Sequence, residues 1–313
     1  MQIYLGNLGH DISSKRMLEL GRQVLFPTQL IPLPLDQGRE DKLRGCLDYI
    51  TMKQTELDYL KGWFKQYVAS YYDLPGDGVK PILLKEKHTE RTCKEIVRLG
   101  RELDLSEGDL LLAETAALFH DIGRFPQWKN YATFNDSASE DHALLGLEVI
   151  SQTKILTSLG AEDRELIEMA ILHHNSRKLP LDLSQRQGLF SRLLRDADKL
   201  DIWSLVINEL EGCGNLVETL AGIIPISNSI NHNIVTELME RKVPDFSSVR
   251  NRNDMILLRL GWVFDLNFPV TCGKVLERRY IERLCGNLPA LKEIEDVEKS
   301  IISFLNNRAK EQS

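Results

Sequence analysis

Ser106-Glu107-Gly108-Asp109-Leu110-Leu111-Leu112-Ala113-Glu114-Thr115-Ala116-Ala117-Leu118-Phe119-His120-Asp121-Ile122-Gly123-Arg124 is the stretch from which the fold is read. Ser106 caps a helix over residues 107–121, and Gly123 stands just past its end. Working upstream, a helix over 82–103 follows a Pro/Gly-rich boundary, Asp73-Leu74-Pro75-Gly76-Asp77-Gly78-Val79-Lys80-Pro81. Before it, Leu43, Leu47, Ile50, Leu57, Leu60, Phe64, Tyr67 and Tyr71 recur every three or four residues from Glu40 onward. That is long for one globular helix, so a break is expected at Thr51–Thr55; residues 27–38, with three prolines, read as loop. Downstream, the spacing predicts helices over 139–159, with Ser137 and Glu140 as a capping box, over 162–174, opening with Glu162 and Asp163, and over 185–202. Further amphipathic helices are expected at 204–222, 231–241, 252–264, 272–286 and 289–308, with a loop at 244–253. Strand patterning is weak apart from a short candidate at Ile3–Leu5, so the fold class is all-α. The expected organisation is a helical core over 79–205 between a mostly helical region at 1–78 and a C-terminal helical region at 206–313 that packs on it.

With 313 residues, the chain is long enough for about two domains or one large one. A 42% hydrophobic and 27% charged composition places it among globular rather than disordered chains. A net charge of −7 argues against nonspecific binding to nucleic acid or to anionic membrane, both of which repel a negative surface. No run approaches the roughly 18 apolar residues that span a bilayer, and Met1–His10 has no basic start that would mark a secretory signal. Cys46, Cys93, Cys213, Cys272 and Cys285 are odd in number and never spaced as CxxC. They read as free thiols in a reducing cytoplasm, not as a disulfide frame or zinc finger.

Five of the 7 histidines lie between residues 88 and 174. His88 stands in the first core helix. His120 and Asp121 close the second, His142 lies in the first turn of the third, His173 and His174 end the fourth, and Asp198 comes near the end of the fifth. One histidine alone on a helix is ordinarily a surface or hydrogen-bonded core residue, and His10-Asp11 and His232 are read that way. Consecutive helices that each deliver imidazole or carboxylate near a terminus can bring them together in a bundle. Mixed imidazole and carboxylate ligands suit Fe, Mn, Zn, Co or Ni rather than Ca or Mg. Six or seven ligands exceed one tetrahedral ion and suit two octahedral ions, with the Asp121 carboxylate able to bridge them.

His88 … His120-Asp121 … Asp198, with the 32-residue step from His88 to His120, resembles the HD-domain metal-dependent phosphohydrolase superfamily over residues 82–202. The resemblance implies an HD-domain helical bundle. His142 and the His173-His174 pair are similar to the binuclear members, which include the HD-GYP cyclic-dinucleotide phosphodiesterases. By this resemblance His88, His120, Asp121 and Asp198 hold the first of two divalent transition-metal ions, iron or manganese foremost, and Asp121 bridges. His142 and His173, with His174 as a further candidate, hold the second. The Gly-Tyr-Pro signature is missing: the text is His173-His174-Asn175-Ser176-Arg177-Lys178-Leu179-Pro180. Cyclic di-GMP is therefore not the expected substrate. Leu84 stands where a third metal would need a Glu.

Such a pair of ions would activate a bridging hydroxide for attack on phosphorus. Arg124 and Lys199 are the leading candidates for phosphate contact, ahead of Arg91, Arg177 and Lys178. Asp201 reads as a surface or supporting residue. Trp128, Tyr131 and Phe134, in the segment 125–139, either stack a base over the site or, as favoured here, anchor the segment on the core. The expected activity is hydrolysis of a phosphate ester or diester, a nucleotide foremost. The alternatives are a mixed-valent di-iron oxygenase of the same fold and a nucleotide-sensing protein without turnover. The partner is then a small-molecule phosphate ester. The outer helices read as packing surfaces and as candidates for a homodimer interface.

Overall fold

The computed structural model describes residues 52–75, 78–212, 225 and 227–312. Every regular element among them is a helix, and the fold is all-α. Helix α1 (Gln54–Ala69) begins inside the expected break. Leu57, Leu60, Phe64, Tyr67 and Val68 are its buried residues, and their spacing places them on one face. Phe64 meets Phe119 and Phe125 edge-on, with ring centroids 6.4 and 5.9 Å apart. Helix α1 packs on the helix of residues 107–119. The candidate strand at Ile3–Leu5, His10-Asp11, the loop at 27–38 and the pattern from Glu40 to Thr51 lie outside the described residues.

Six helices form the bundle that carries the histidines: α2 (Val79–Glu102), α3 (Glu107–Phe119), α4 (Arg124–Tyr131), α5 (His142–Thr153), α6 (Ala161–His173) and α7 (Gln185–Glu211). Helix α2 packs on α3 and α7, α6 on α3 and α7, and α5 on α4 and α6. Ser106 caps α3 as its sequence suggests, accepting from the Asp109 N–H at 3.1 Å. The start of α5 differs from expectation. Its cap is Asp141, which accepts from the N–H groups of Ala143 and Leu144, while Ser137 sits in a separate 3-10 turn, Asp136–Ala138. Gln127 is the reason: its buried amide donates to Ser139 Oγ and to the Glu140 carbonyl at 2.9 and 2.8 Å, which holds the chain out of a helix until Asp141. The segment 125–139 contains most of α4, which stops at Ala132, a left-handed residue with φ 51°.

Helix α7 runs without interruption through the boundary expected at 205–206, because no Gly or Pro stands between Gly188 and Gly212 to end it. The C-terminal helices are α8 (His232–Met239), α9 (Arg252–Gly261), α10 (Pro269–Glu277), α11 (Tyr280–Cys285) and α12 (Lys292–Ala309). The helix expected over 272–286 is broken in two at Arg279, whose φ is 53°. Helices α10 and α11 pack on α7. Asp196 fixes this junction: its buried carboxylate accepts from the N–H groups of Asn267 and Phe268, each at 3.1 Å, and from Asn267 Nδ2 at 2.7 Å. Cys93, Cys272 and Cys285 are buried free thiols. No helix among the described residues is long and apolar enough to cross a membrane.

Candidate metal centre

Local geometry brings the polar groups to one end of the bundle. Lys85 and His88 are one turn apart on α2 and both buried. His120 and Asp121 follow the last turn of α3, and the chain then turns at Gly123. A Cβ on Gly123 would lie 2.1 Å from the His142 carbonyl oxygen and 2.5 Å from the Gly146 nitrogen. Only glycine lets the α3–α4 corner touch the start of α5, and that contact sets His142 beside Asp121. Helix α6 ends at His173, and α7 contributes Asp198 and Asp201.

Two groups of donor atoms result, His88 with His120 and Asp121, and Asp121 with His142 and His174. In the first, His88 Nε2 lies 3.2 Å from His120 Nε2 and 3.0 Å from Asp198 Oδ1. Asp121 Oδ2 is 3.5 and 3.6 Å from the Nε2 atoms of His88 and His120. In the second, the Nε2 atoms of His142 and His174 are 2.9 Å apart, and Asp121 Oδ1 is 3.4 and 3.9 Å from them. The two oxygens of one carboxylate thus face different imidazole pairs.

The opposite nitrogen of every ring is engaged. The Nδ1–H groups of His120 and His174 donate to the carbonyls of Ala117 and Ile171 at 2.7 and 2.6 Å. Nδ1 of His88 faces Asp201 Oδ2, and Nδ1 of His142 faces Asp136 Oδ2, both at 2.7 Å. Carbonyl and carboxylate oxygens only accept, so each Nδ1 carries the proton, and in the neutral ring, as for His142 and His174, Nε2 turns its lone pair inward. Two neutral nitrogens at 2.9 Å with facing lone pairs repel one another. The same separation is an ordinary edge of a coordination shell, since metal–nitrogen bonds of about 2.0–2.1 Å set cis ligands roughly 2.9 Å apart. The donor set fits divalent metal. A further grouping of Asp136, Asp141 and His142 is already committed, because Asp141 caps α5 and Asp136 orients the His142 ring.

Charge follows the same logic. Burial opposes ionisation of Asp121, but Lys85, then His120 and Arg124, hold its carboxyl well below the usual range. Asp198 is likewise pushed up by burial and held down by His120 and His88, and its Oδ1 is buried with no hydrogen bond among the described residues. Burial and Lys85 disfavour a charged His88, yet Asp198 and Asp201 outweigh them and raise it to about 9. Burial, with His142 and His120, lowers His174 to about 3. The first pocket of donors attracts positive charge, and the second keeps its imidazoles neutral.

The family model of the HD domain matches residues 86–203. Over these residues the chain is similar to the HD domain. No curated protein and no solved structure matches the chain. The matched residues include the His/Asp groupings that could hold metal.

Within the matched residues the choice between His173 and His174 is reversed. His174 is buried and faces His142, whereas His173 turns away, half-buried, with Nδ1 3.4 Å from Ser176 Oγ. The residue that ends the last full turn points off the bundle axis, and its successor points in. The donors open on a cavity of about 290 Å³ lined by Lys85, Arg124, Arg177, Arg195 and Lys199 among others. Arg124 and Lys199 are on its wall. Arg124 Nε donates to Asp121 Oδ1 at 3.4 Å and Nη1 to Asp136 Oδ1 at 2.8 Å; Lys199 Nζ pairs with Asp265 Oδ2 at 2.8 Å. Arg91 is not on this wall. It grips Asp201 with Nε at 2.6 Å and Nη2 at 2.9 Å and so steadies the acceptor of His88. Arg177 is on the rim, paired with Asp245 at 2.6 Å, and Lys178 is exposed.

Trp128 and Phe134 anchor their segment: Trp128 Nε1 donates to the Gly78 carbonyl at 3.0 Å and its ring packs on Phe134. Tyr131 is exposed and donates to Glu140. His232 is exposed beside Glu293.

Sequence reasoning missed four contributors. Lys85, whose Nζ lies 2.6 Å from Asp121 Oδ2, was legible as the residue one turn before His88. Arg195, one turn before Asp198 on α7, was legible in the same way; Asp136 and Asp265 had no such signal, since 3-10 turns outside these helices bring them in. Arg195 donates to the carbonyls of His173, His174 and Ser176, closing the end of α6.

Proposed function

We propose that the chain is a metal-dependent phosphohydrolase that cleaves a phosphate ester or diester, a nucleotide foremost, at two divalent ions shared by Asp121. His88, His120, Asp198 and one Asp121 oxygen would hold the first ion, and His142, His174 and the other Asp121 oxygen the second. The observation that carries the reading is the placement of the two Asp121 oxygens, 3.5 Å from His88 Nε2 on one side and 3.4 Å from His142 Nε2 on the other. Such ions supply Lewis acidity and bring the pKa of a bound water from 15.7 down to about 7.

The remaining chemistry belongs to the side chains. Two carboxylates cannot neutralise two divalent ions, so the centre is cationic and favours an anion. Lys85, Arg124 and Lys199 extend that field along the cavity wall. An incoming phosphoryl oxygen competes with Asp265 for Lys199, and the freed ammonium stabilises charge on the leaving oxygen. Asp136 and Asp201 orient the imidazoles, as outer carboxylates do for metal-bound histidines.

The test is metal content and turnover together. Protein purified without chelator is expected to hold about two transition-metal ions per chain, and Asp121→Ala to lose both. The metal-loaded protein is expected to hydrolyse an aryl phosphodiester or a member of a nucleotide panel with Mn or Fe. Full loading without turnover overturns hydrolysis, and oxygen uptake by the iron-loaded protein would put oxygenation in its place.

A further inference from the structure

A second, smaller cavity of about 130 Å³ adjoins the metal centre. Lys85, Arg124, Ile202 and Trp262 line both cavities, and His88 reaches into the second. At its wall stands Arg259, in the last turn of α9, outside the residues that match the HD domain. Arg259 is 6% exposed and makes no ion pair among the described residues. Its Nε has no hydrogen bond there, and Nη1 reaches only the Met255 carbonyl, at 3.5 Å, the limit of a useful bond. Every other cation around the donors is paired: Lys85 and Arg124 with Asp121, Lys199 and Arg195 with Asp265.

A buried guanidinium without a counter-charge is costly. The Trp262 ring, 5.9 Å from Arg259 Cζ, and the C-terminal end of the helix dipole offset part of that cost. Both would be available to a side chain nearer solvent. Burial alone lowers the Arg259 pKa to about 10, so the group remains charged at neutral pH. Its backbone is fixed as well, since buried Trp203 donates to the Arg259 carbonyl at 3.0 Å. A fixed, dehydrated, unpaired fork facing a cavity is an anion receptor awaiting its anion.

We propose that Arg259 is a second anion-binding subsite of this centre, and that the substrate is a small phosphate ester whose other part carries a further anionic group, phosphate or carboxylate. The proposal rests on the phosphohydrolase reading above. The scissile phosphoryl lies at the Asp121-bridged donors, and the remainder passes Phe134 and Trp262 to reach Arg259. Substrates lacking the second anion leave the guanidinium unpaired and bind less tightly.

Matched non-hydrolysable probes test this by calorimetry on the Mn-loaded full chain, with metal content checked after each titration. The probes are alkylphosphonates, and phosphonocarboxylates and bisphosphonates of the same chain lengths. At one chain length a doubly anionic probe is expected to bind about tenfold tighter, or more, than its alkyl counterpart, the worth of one charged hydrogen-bonded contact. The arm that gains identifies carboxylate or phosphate as the second group. Arg259→Met is expected to abolish the difference and leave alkylphosphonate binding unchanged, while Arg259→Lys retains part of it. The Tm of Arg259→Met is expected to match or exceed that of the wild type, because an unpaired charge is removed.

No preference at any length, with alkylphosphonates still bound, overturns the subsite and leaves the phosphohydrolase reading standing. A lowered Tm or an unfolded Arg259→Met overturns it too, by making Arg259 a structural strut. Failure of alkylphosphonates themselves to bind the metal-loaded protein overturns the phosphohydrolase reading and the subsite with it.

Discussion

Gly123→Ala isolates the contact that places His142. Gly123 has an ordinary φ of −68°, so alanine brings no backbone strain. The whole effect is steric. The new Cβ would stand 2.1 Å from the His142 carbonyl oxygen, whereas real Cβ contacts stay beyond 3.0 Å. Both obstructing groups are backbone, so no rotamer change relieves them, and the start of α5 must retreat by roughly 1 Å in a close-packed interior. Overpacking of this kind costs about 1–3 kcal/mol, which for a unit of this size lowers Tm by roughly 3–10 °C. The same retreat draws His142 Nε2 away from Asp121 Oδ1, now 3.4 Å off. Metal sites tolerate bond-length errors of only about 0.2 Å. His88, His120 and Asp198 sit on other helices and do not move. Calorimetric unfolding of the metal-free protein and metal analysis of the loaded protein are therefore expected to show a lower Tm and one ion per chain in place of two. A variant with unchanged Tm and full metal content would refute the reasoning, because the close approach would then not govern His142.

His174→Ala is expected to lose the second ion and turnover, whereas His173→Ala keeps both and stays within about 0.5 kcal/mol of wild-type stability, as surface changes do; metal analysis and urea melts decide. Asp136→Asn is expected to weaken the second ion by about 10–100-fold and Asp201→Asn the first by a similar factor, read by competition with a chromophoric chelator; equal loss of both ions from either variant would contradict the assignment. Asp196→Ala leaves the Asn267 and Phe268 N–H groups without their acceptor and is expected to cost about 2–4 kcal/mol in a urea melt, with the metal complement retained by the folded fraction.

Local chemistry makes much of this protein legible from its residues alone. The three-and-four spacing of apolar residues marks the helices of the bundle, and Ser106 marks a start that its hydroxyl does cap. The adjacent His120 and Asp121 stand out because two ligand types side by side at a helix end are chemically economical. Local signals fail where a tertiary contact overrides them. Ser137 and Glu140 have the spacing of a capping box, but Gln127 already holds Ser139 and Glu140. No local feature separates His173 from His174 either, since a one-residue step turns a helical side chain by about 100° and only the packing of α6 says which one faces Asp121.

By itself, the sequence determined the helical class and the set of metal-binding residue types. These follow from periodicity and side-chain chemistry, which are local properties. Tertiary structure alone decided that Asp121 presents its two oxygens to different imidazole pairs, that Asp136 and Asp201 orient the rings of His142 and His88, and that Arg259 is buried beside the centre without a counter-charge among the described residues. Those facts depend on distances between residues as far apart in the chain as His88 and Asp201 or Arg259, and no one-dimensional pattern carries a distance.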